Sequence, residues 1–199
     1  ARNASERAAL DWNKILGYAN NGLDFDVTIL GDGYTSWYSE WNIYMIYPGW
    51  ARVDLRTINM MDPSYPDYWP ASEVTLPPAT SVDARLASDY DYLSSQDFIA
   101  NRGTYHYSSY RYKRYDSYTN TGWATYHPEF LAAENDLYKA EALMRTGNMS
   151  GAAAVLNAGT RTSRGNLANV APVQADVAAA IHYERIVELG QTGLGLAFF

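Results

Sequence analysis

Two glutamates near the end of the chain, Glu184 and Glu188, have a spacing at which carboxyl groups can act as an acid/base pair. At i,i+4 they share one face of the helix predicted over 173–189. Carboxyl groups one helical turn apart repel each other unless a cation lies between them. Three arginines can supply that cation: Arg161, Arg164 and Arg185. We therefore interpret the set as a buried or half-buried ion network that ties the last helix to the preceding hairpin, and we assign no catalytic residues.

Aromatic side chains are concentrated over 37–50, a stretch with almost no formal charge. Tyr and Trp, of which the chain has 18 and 6, combine a flat apolar face with a polar group, which suits sugar rings and wet interfaces. The stretch fits a stacking platform for sugars and equally a buried lining of the core. From aromatic density alone we predict that the ligand-binding residues are Trp37, Trp41, Tyr44, Trp50 and Tyr65.

Three aspartates, Asp24, Asp26 and Asp32, resemble a calcium loop, but the glycine of an EF-hand would fall on Ile29. A turn at Asp32-Gly33 explains them better. The chain has no cysteine, and its three histidines have no HExxH spacing, so we predict no metal and no cofactor. No P-loop or G-x-S-x-G motif occurs.

The net charge of −7 excludes the basic surface that nucleic-acid binding needs. A hydrolase with an unmarked carboxylate pair stays open, because acidic residues are plentiful and no motif identifies such a pair.

Three consecutive helices are predicted over 128–189. In the first, Pro128 fits the first turn, and apolar residues recur every three or four positions up to Met144. Gly147 can take the left-handed closing position, and Asn148 can cap a second helix over 149–158. Alanines at 140, 142 and 152–154 allow close backbone approach. Such a helical pair needs stacked neighbours to bury its apolar face.

The motifs of this region resemble those of the SusD/RagB family. Segment 140–148 (AEALMRTGN) resembles its AEA-x-x-R-x-G-N hairpin, 157–164 its N-x-x-R-x-R, and 182–189 its ER-x-x-EL helix. Their order and spacing together carry the resemblance, which extends over nearly the whole chain. The run after Gly190 departs from the family, since Gly195 stands near the position of an arginine.

The resemblance implies a mainly α fold, with tetratricopeptide-like helix pairs supporting a loop-rich, aromatic layer that has little strand. It also implies a non-enzymatic lipoprotein, exposed at the surface of the outer membrane, that passes oligosaccharide to a SusC-like TonB-dependent transporter. Some members bind peptides. Membrane association would come only through a lipid anchor outside this chain. The alternative function is a structural, assembly or peptide-binding subunit on the same scaffold.

We interpret 1–199 as a single domain and a fragment of a longer chain, with an irregular ligand-facing part over 1–127 and helices over 128–199. In the first part, helices are predicted over 3–18, 51–61 and, in two pieces, 81–100, and a strand over 25–30. Asp83 and Arg85 are too close in sequence to pair across a helical turn, so each is predicted to have a separate partner.

Overall fold

Helices form most of the regular structure. A computed structural model describes residues 3–33, 35–37, 51–70, 76–93, 108–190 and 192. Its α-helices are α1 (Ala4–Ala8), α2 (Trp12–Asn20), α3 (Leu55–Met61), α4 (Arg85–Asp89), α5 (Ala132–Arg145), α6 (Met149–Ala158), α7 (Thr160–Ser163) and α8 (Gln174–Val187). The strands are β1 (Val27–Leu30), β2 (Tyr90–Tyr92), β3 (Tyr110–Tyr112) and β4 (Tyr126–Phe130), and a 3₁₀ helix covers Asp116–Thr121. The mainly α class is therefore as predicted. None of the described helices is both long and apolar enough to cross a membrane.

The chain forms two compact units, which cut across the single domain that the sequence predicts. The helical unit comprises Ala1–Ile29 and Pro128–Phe199, and the aromatic unit comprises Leu30–His127. The N-terminal helices thus belong with the C-terminal ones, whereas the sequence grouped them with the irregular part.

The core of the helical unit lies between α5, α6 and α8. Gly147, at φ 88°, turns the chain after α5, and the side chain of Asn148 accepts a hydrogen bond from the Gly151 N–H at 2.8 Å. Both features are as predicted. The buried residues at this core include Leu137, Ala140, Met144, Ala152, Ala153, Leu156, Val177, Ala180 and Ile181. Of the alanines predicted to permit close approach, Ala154 is exposed instead.

The start of α5 differs from the prediction. Pro128 lies in β4, which pairs with β1, and the helix begins only at Ala132. In a two-stranded sheet both strands are edges, so a proline is tolerated there. The Ala132 N–H donates to Asp26 Oδ1 at 2.9 Å. A residue 106 positions away therefore satisfies a free N–H at the helix start, which the local sequence could not show.

The single helix predicted over 3–18 is two helices. Asn3 and Glu6 have the spacing of a capping box, and Asn3 caps α1 by accepting from the Glu6 N–H at 2.9 Å. Asp11 then caps α2 by accepting from the Lys14 N–H at 3.0 Å, and this second cap marks the break. Helical spacing predicts one core-facing stripe with Trp12, Ile15, Leu16 and Ala19, but only Ala19 is buried and the other three are half-buried.

The aromatic unit is built around a tyrosine-rich hairpin. Strands β2 and β3 are antiparallel, with Tyr90 opposite Tyr112 and Tyr92 opposite Tyr110. The Val53 N–H donates to the Tyr110 carbonyl at 2.9 Å, which ties the segment before α3 to the hairpin. The fully or nearly buried aromatic residues of this unit are Tyr65, Trp69, Tyr90, Tyr110, Tyr115 and Trp123. Four tyrosines of this unit are therefore core residues.

Asp83 and Arg85 pair with each other, contrary to the prediction of separate partners. Asp83 lies just before α4, where the chain is not yet helical, so its carboxylate reaches both the Arg85 N–H (2.9 Å) and the guanidinium (2.8 Å). Both side chains are fully buried. Asp54 and Arg56 repeat this arrangement at the start of α3, with a guanidinium contact of 2.6 Å, but they are largely exposed. The rule about helical spacing fails because the first partner is outside the helix.

Candidate functional site

Trp37 is the one member of the predicted ligand face that lies half-exposed within the described residues. It ends a short loop that Asp32 organises. The Asp32 N–H donates to the Trp37 carbonyl at 3.0 Å, and the Asp32 carboxylate accepts from the N–H groups of Thr35, Ser36 and Trp37 at 2.9, 2.7 and 3.1 Å. The loop is therefore closed by its first and last residues, as a turn built by Asp32 and Gly33 predicts.

The same contacts set the acidity of Asp32. Desolvation tends to raise its pKa, but hydrogen bonds from the Ser36 side chain and from the backbone of Trp37, Ser36 and Thr35 outweigh it and lower the pKa. The charged form, which accepts the closing hydrogen bonds of the loop, therefore persists at lower pH than that of an ordinary aspartate.

The Trp37 ring packs against the buried imidazole of His127. The ring centroids are 5.8 Å apart at an interplanar angle of 71°. On another side of the imidazole, Tyr118 lies 4.9 Å away, edge to face, and is itself stacked on Tyr115 at 5.1 Å. This contact could not be read from the sequence, because nothing local links His127 to a tryptophan 90 residues earlier.

The backbone carbonyl of Trp123 contacts this histidine. His127 Nε2 lies 3.1 Å from the Trp123 carbonyl oxygen. Trp123 has φ 70°, a left-handed conformation that is costly for a bulky residue, and it follows Gly122 at φ 58°. The strained backbone is held by the Trp123 N–H, which donates to the Tyr118 carbonyl at 3.0 Å.

Tyr65 does not have the surface position that the prediction gave it. Its side chain is only 5% exposed, and its ring packs edge to face against Tyr110 at 6.2 Å. Burial also raises its pKa far above the ordinary value. Tyr65 is therefore a core residue on which no ligand can stack. The other predicted residues, Trp41, Tyr44 and Trp50, lie outside the described residues.

Glu184 and Glu188 form the ion network that the sequence predicts. Glu184 is 2% exposed and lies 3.5 Å from the Arg161 guanidinium, and Glu188 is 1% exposed and lies 2.7 Å from that of Arg164. Glu184 on α8 and Glu188 just after it are thus each matched by an arginine of the segment after α6. Because both carboxylates are buried and paired, neither is placed to transfer protons to a substrate.

Arg185 pairs with a glutamate on another helix. At i,i+3 it is spaced to pair with Glu188, but its guanidinium lies 2.6 Å from Glu141 on α5. Arg145 reaches the other oxygen of Glu141 at 3.1 Å. Burial tends to raise the pKa of Glu141, but Arg185 and Arg145 outweigh it and lower the pKa. In the sequence, the only indication of this ion pair was that Glu141 falls on the buried face of a predicted helix.

A small cavity adjoins the ion network. Leu137, Val155 and Leu156 form its apolar wall, and Arg161 and Glu184 lie at its edge. Its volume is about 20 Å³, room for about one water molecule. A sugar ring does not fit in this volume.

No group of His, Asp and Glu side chains among the described residues has the geometry of a metal site. The site consists instead of one half-exposed tryptophan on a closed loop, supported by a buried histidine and two tyrosines. A scan of protein-family models, a search of curated proteins and a search of solved structures each find no match to this chain.

Proposed function

We propose that the chain is a non-catalytic binding protein that captures oligosaccharide at the cell surface and passes it to a SusC-like TonB-dependent outer-membrane transporter. The observation that carries the proposal is Trp37, a half-exposed indole on a loop closed by Asp32. A rigid aromatic ring stacks on the C–H face of a sugar without first losing conformational entropy. The motif resemblance to the SusD/RagB family supplies the transport role and the surface location.

The described site also favours binding over catalysis. The carboxylates Glu184 and Glu188, which come closest to an acid/base pair in the sequence, are buried and paired with arginines. At Trp37 the neighbouring carboxylate, Asp32, is engaged by three backbone N–H groups. We expect binding through ring stacking, weak and nearly insensitive to salt, because screening acts on charges and not on dispersion contacts.

A glycan array probed with the full-length protein, with peptides printed alongside, tests the proposal. We expect binding to a subset of neutral oligosaccharides and little binding to peptides. Chromatography of each bound oligosaccharide after overnight incubation should show it intact. Binding confined to peptides would show that the ligand is a peptide and not an oligosaccharide. Release of shorter oligosaccharides would show that the protein is a hydrolase.

A second candidate function is a structural or assembly subunit, and exposed apolar side chains favour it. In the helical unit Tyr18, Phe25 and Val173 are 66%, 59% and 53% exposed. Large exposed apolar groups are common at protein interfaces. If this function is correct, Phe25→Ser and Tyr18→Ser will weaken a protein–protein association in sedimentation experiments, whereas Trp37→Ala will not.

A further inference from the structure

Gly31 and His127 fit together so closely that a side chain at position 31 would force the imidazole or the backbone to move. A Cβ atom built on Gly31 would lie 2.8 Å from His127 Nε2, 2.9 Å from Cδ2 and 3.0 Å from the Trp123 carbonyl oxygen. Contacts under 3 Å are far inside van der Waals distance. The Gly31 N–H donates to the Thr125 carbonyl at 2.8 Å, so the backbone that leaves this space is itself fixed.

One nitrogen of the imidazole has a defined role. The Trp123 carbonyl can only accept a hydrogen bond, so His127 Nε2 donates to it across 3.1 Å. Nδ1 is buried and without a hydrogen-bond partner in the described part of the chain. The ring is therefore fixed by one hydrogen bond, by the gap at Gly31 and by edge contacts with Tyr118 and Trp37.

We propose that His127 is a positioning residue for Trp37: held by Gly31 and the Trp123 carbonyl, its imidazole fixes the orientation of the indole ring. The role in ligand binding rests on the proposed function of Trp37, but the positioning itself concerns the ligand-free protein. A core histidine without this role would contribute to stability and leave the Trp37 environment unchanged when replaced.

Fluorine NMR of protein labelled with 5-fluorotryptophan tests the inference. Trp37→Phe assigns the Trp37 resonance, and Trp12→Phe assigns that of Trp12 in the helical unit as an internal reference. We expect His127→Leu and Gly31→Ala to shift and broaden the Trp37 resonance and to leave that of Trp12 unmoved. Tyr126→Ala, which removes an exposed ring next to His127 in sequence, is the matched control and should leave the Trp37 resonance unchanged.

For an oligosaccharide identified on the array, His127→Leu should weaken affinity by about threefold to tenfold, the effect of losing one aromatic pair. His127→Phe keeps an aromatic edge beside the indole and should restore most of that affinity, although it cannot donate to Trp123. A purely structural role would show equal loss of stability in both variants and no difference between their affinities.

An unshifted Trp37 resonance in folded His127→Leu would overturn the inference. If the variants do not fold, the wild-type protein decides the question through nuclear Overhauser contacts between the imidazole of His127 and the indole of Trp37. Their presence supports the positioning role, and their absence overturns it. Failure of the array would remove the proposed function, whereas these spectra are recorded without ligand and still decide the positioning.

Discussion

The most deeply buried ion pairs of the two units differ in the sequence separation of their partners. In the helical unit, Glu141 on α5 pairs with Arg185 on α8, and Glu188, just after α8, pairs with Arg164. In the aromatic unit, the fully buried pair Asp83 and Arg85 is separated by one residue, in a core of aromatic and aliphatic side chains. The long-range pairs join separate elements, whereas the contact between Asp83 and Arg85 lies at the start of one helix.

The comparison predicts that buried local pairs and exposed local pairs differ greatly in their effect on stability. Arg85→Ala leaves Asp83 buried without its compensating charge and should lower the free energy of unfolding by about 3–5 kcal/mol. Arg56→Ala breaks the same arrangement at the surface and should cost less than about 1 kcal/mol. Urea denaturation of both variants measures the difference. Equal losses of stability in the two variants would show that burial does not determine how much such an Asp–Arg pair contributes to stability.

The ion pairs of Glu141 predict that the stability of the helical unit depends on pH. Glu141→Gln removes the charge shared by Arg145 and Arg185 and should cost about 1.5–3 kcal/mol near neutral pH. Because the folded pKa of Glu141 is lowered, its stabilising effect is complete above the ordinary carboxyl pKa of about 4.3 and is lost as the pH falls through the lowered value.

The gap in unfolding free energy between wild type and Glu141→Gln should therefore narrow below about pH 4.3. Hydrogen exchange of α5 and α8 amides, followed from pH 7 to 3, locates the effect. A gap that stays constant over this range would contradict the assignment of Glu141 as the ionised centre of the network.

A smaller effect than that of Glu141→Gln is predicted at the turn that closes the hairpin of the helical unit. Gly147 has φ 88° with open space around its Cα, so Gly147→Ala should cost about 1–2 kcal/mol from backbone strain alone. Gly17 lies inside α2 with equally open space and an ordinary helical conformation. Gly17→Ala should therefore stabilise the protein by about 0.5–1 kcal/mol. Thermal denaturation should shift the two melting temperatures in opposite directions.

Local sequence patterns predicted the features that depend only on residues close in sequence. The caps at Asn3 and Asn148, the left-handed Gly147 and the face of α5 that carries Leu137 follow from residue type and helical period. The pairing of Glu184 and Glu188 with nearby arginines followed from the cost of leaving two like charges on one helix face.

What the sequence missed depends on distant partners. Pro128 lies in a strand because β1 pairs with β4. Arg185 pairs with Glu141 because α5 packs beside α8. Tyr65 was predicted as a ligand contact from aromatic density, which is equally high in a tyrosine core and on a sugar platform. Aromatic density in the sequence therefore does not show whether a ring is buried or exposed.

Isothermal titration calorimetry of three proteins, the wild type, Trp37→Ala and Tyr126→Ala, with an oligosaccharide identified on the array tests the central claim most directly. Tyr126 is 60% exposed in the aromatic unit and lies outside the predicted platform. We predict that Trp37→Ala weakens binding at least about tenfold, or 1.4 kcal/mol, while Tyr126→Ala and added salt change it little. Unchanged affinity in folded Trp37→Ala would contradict the account.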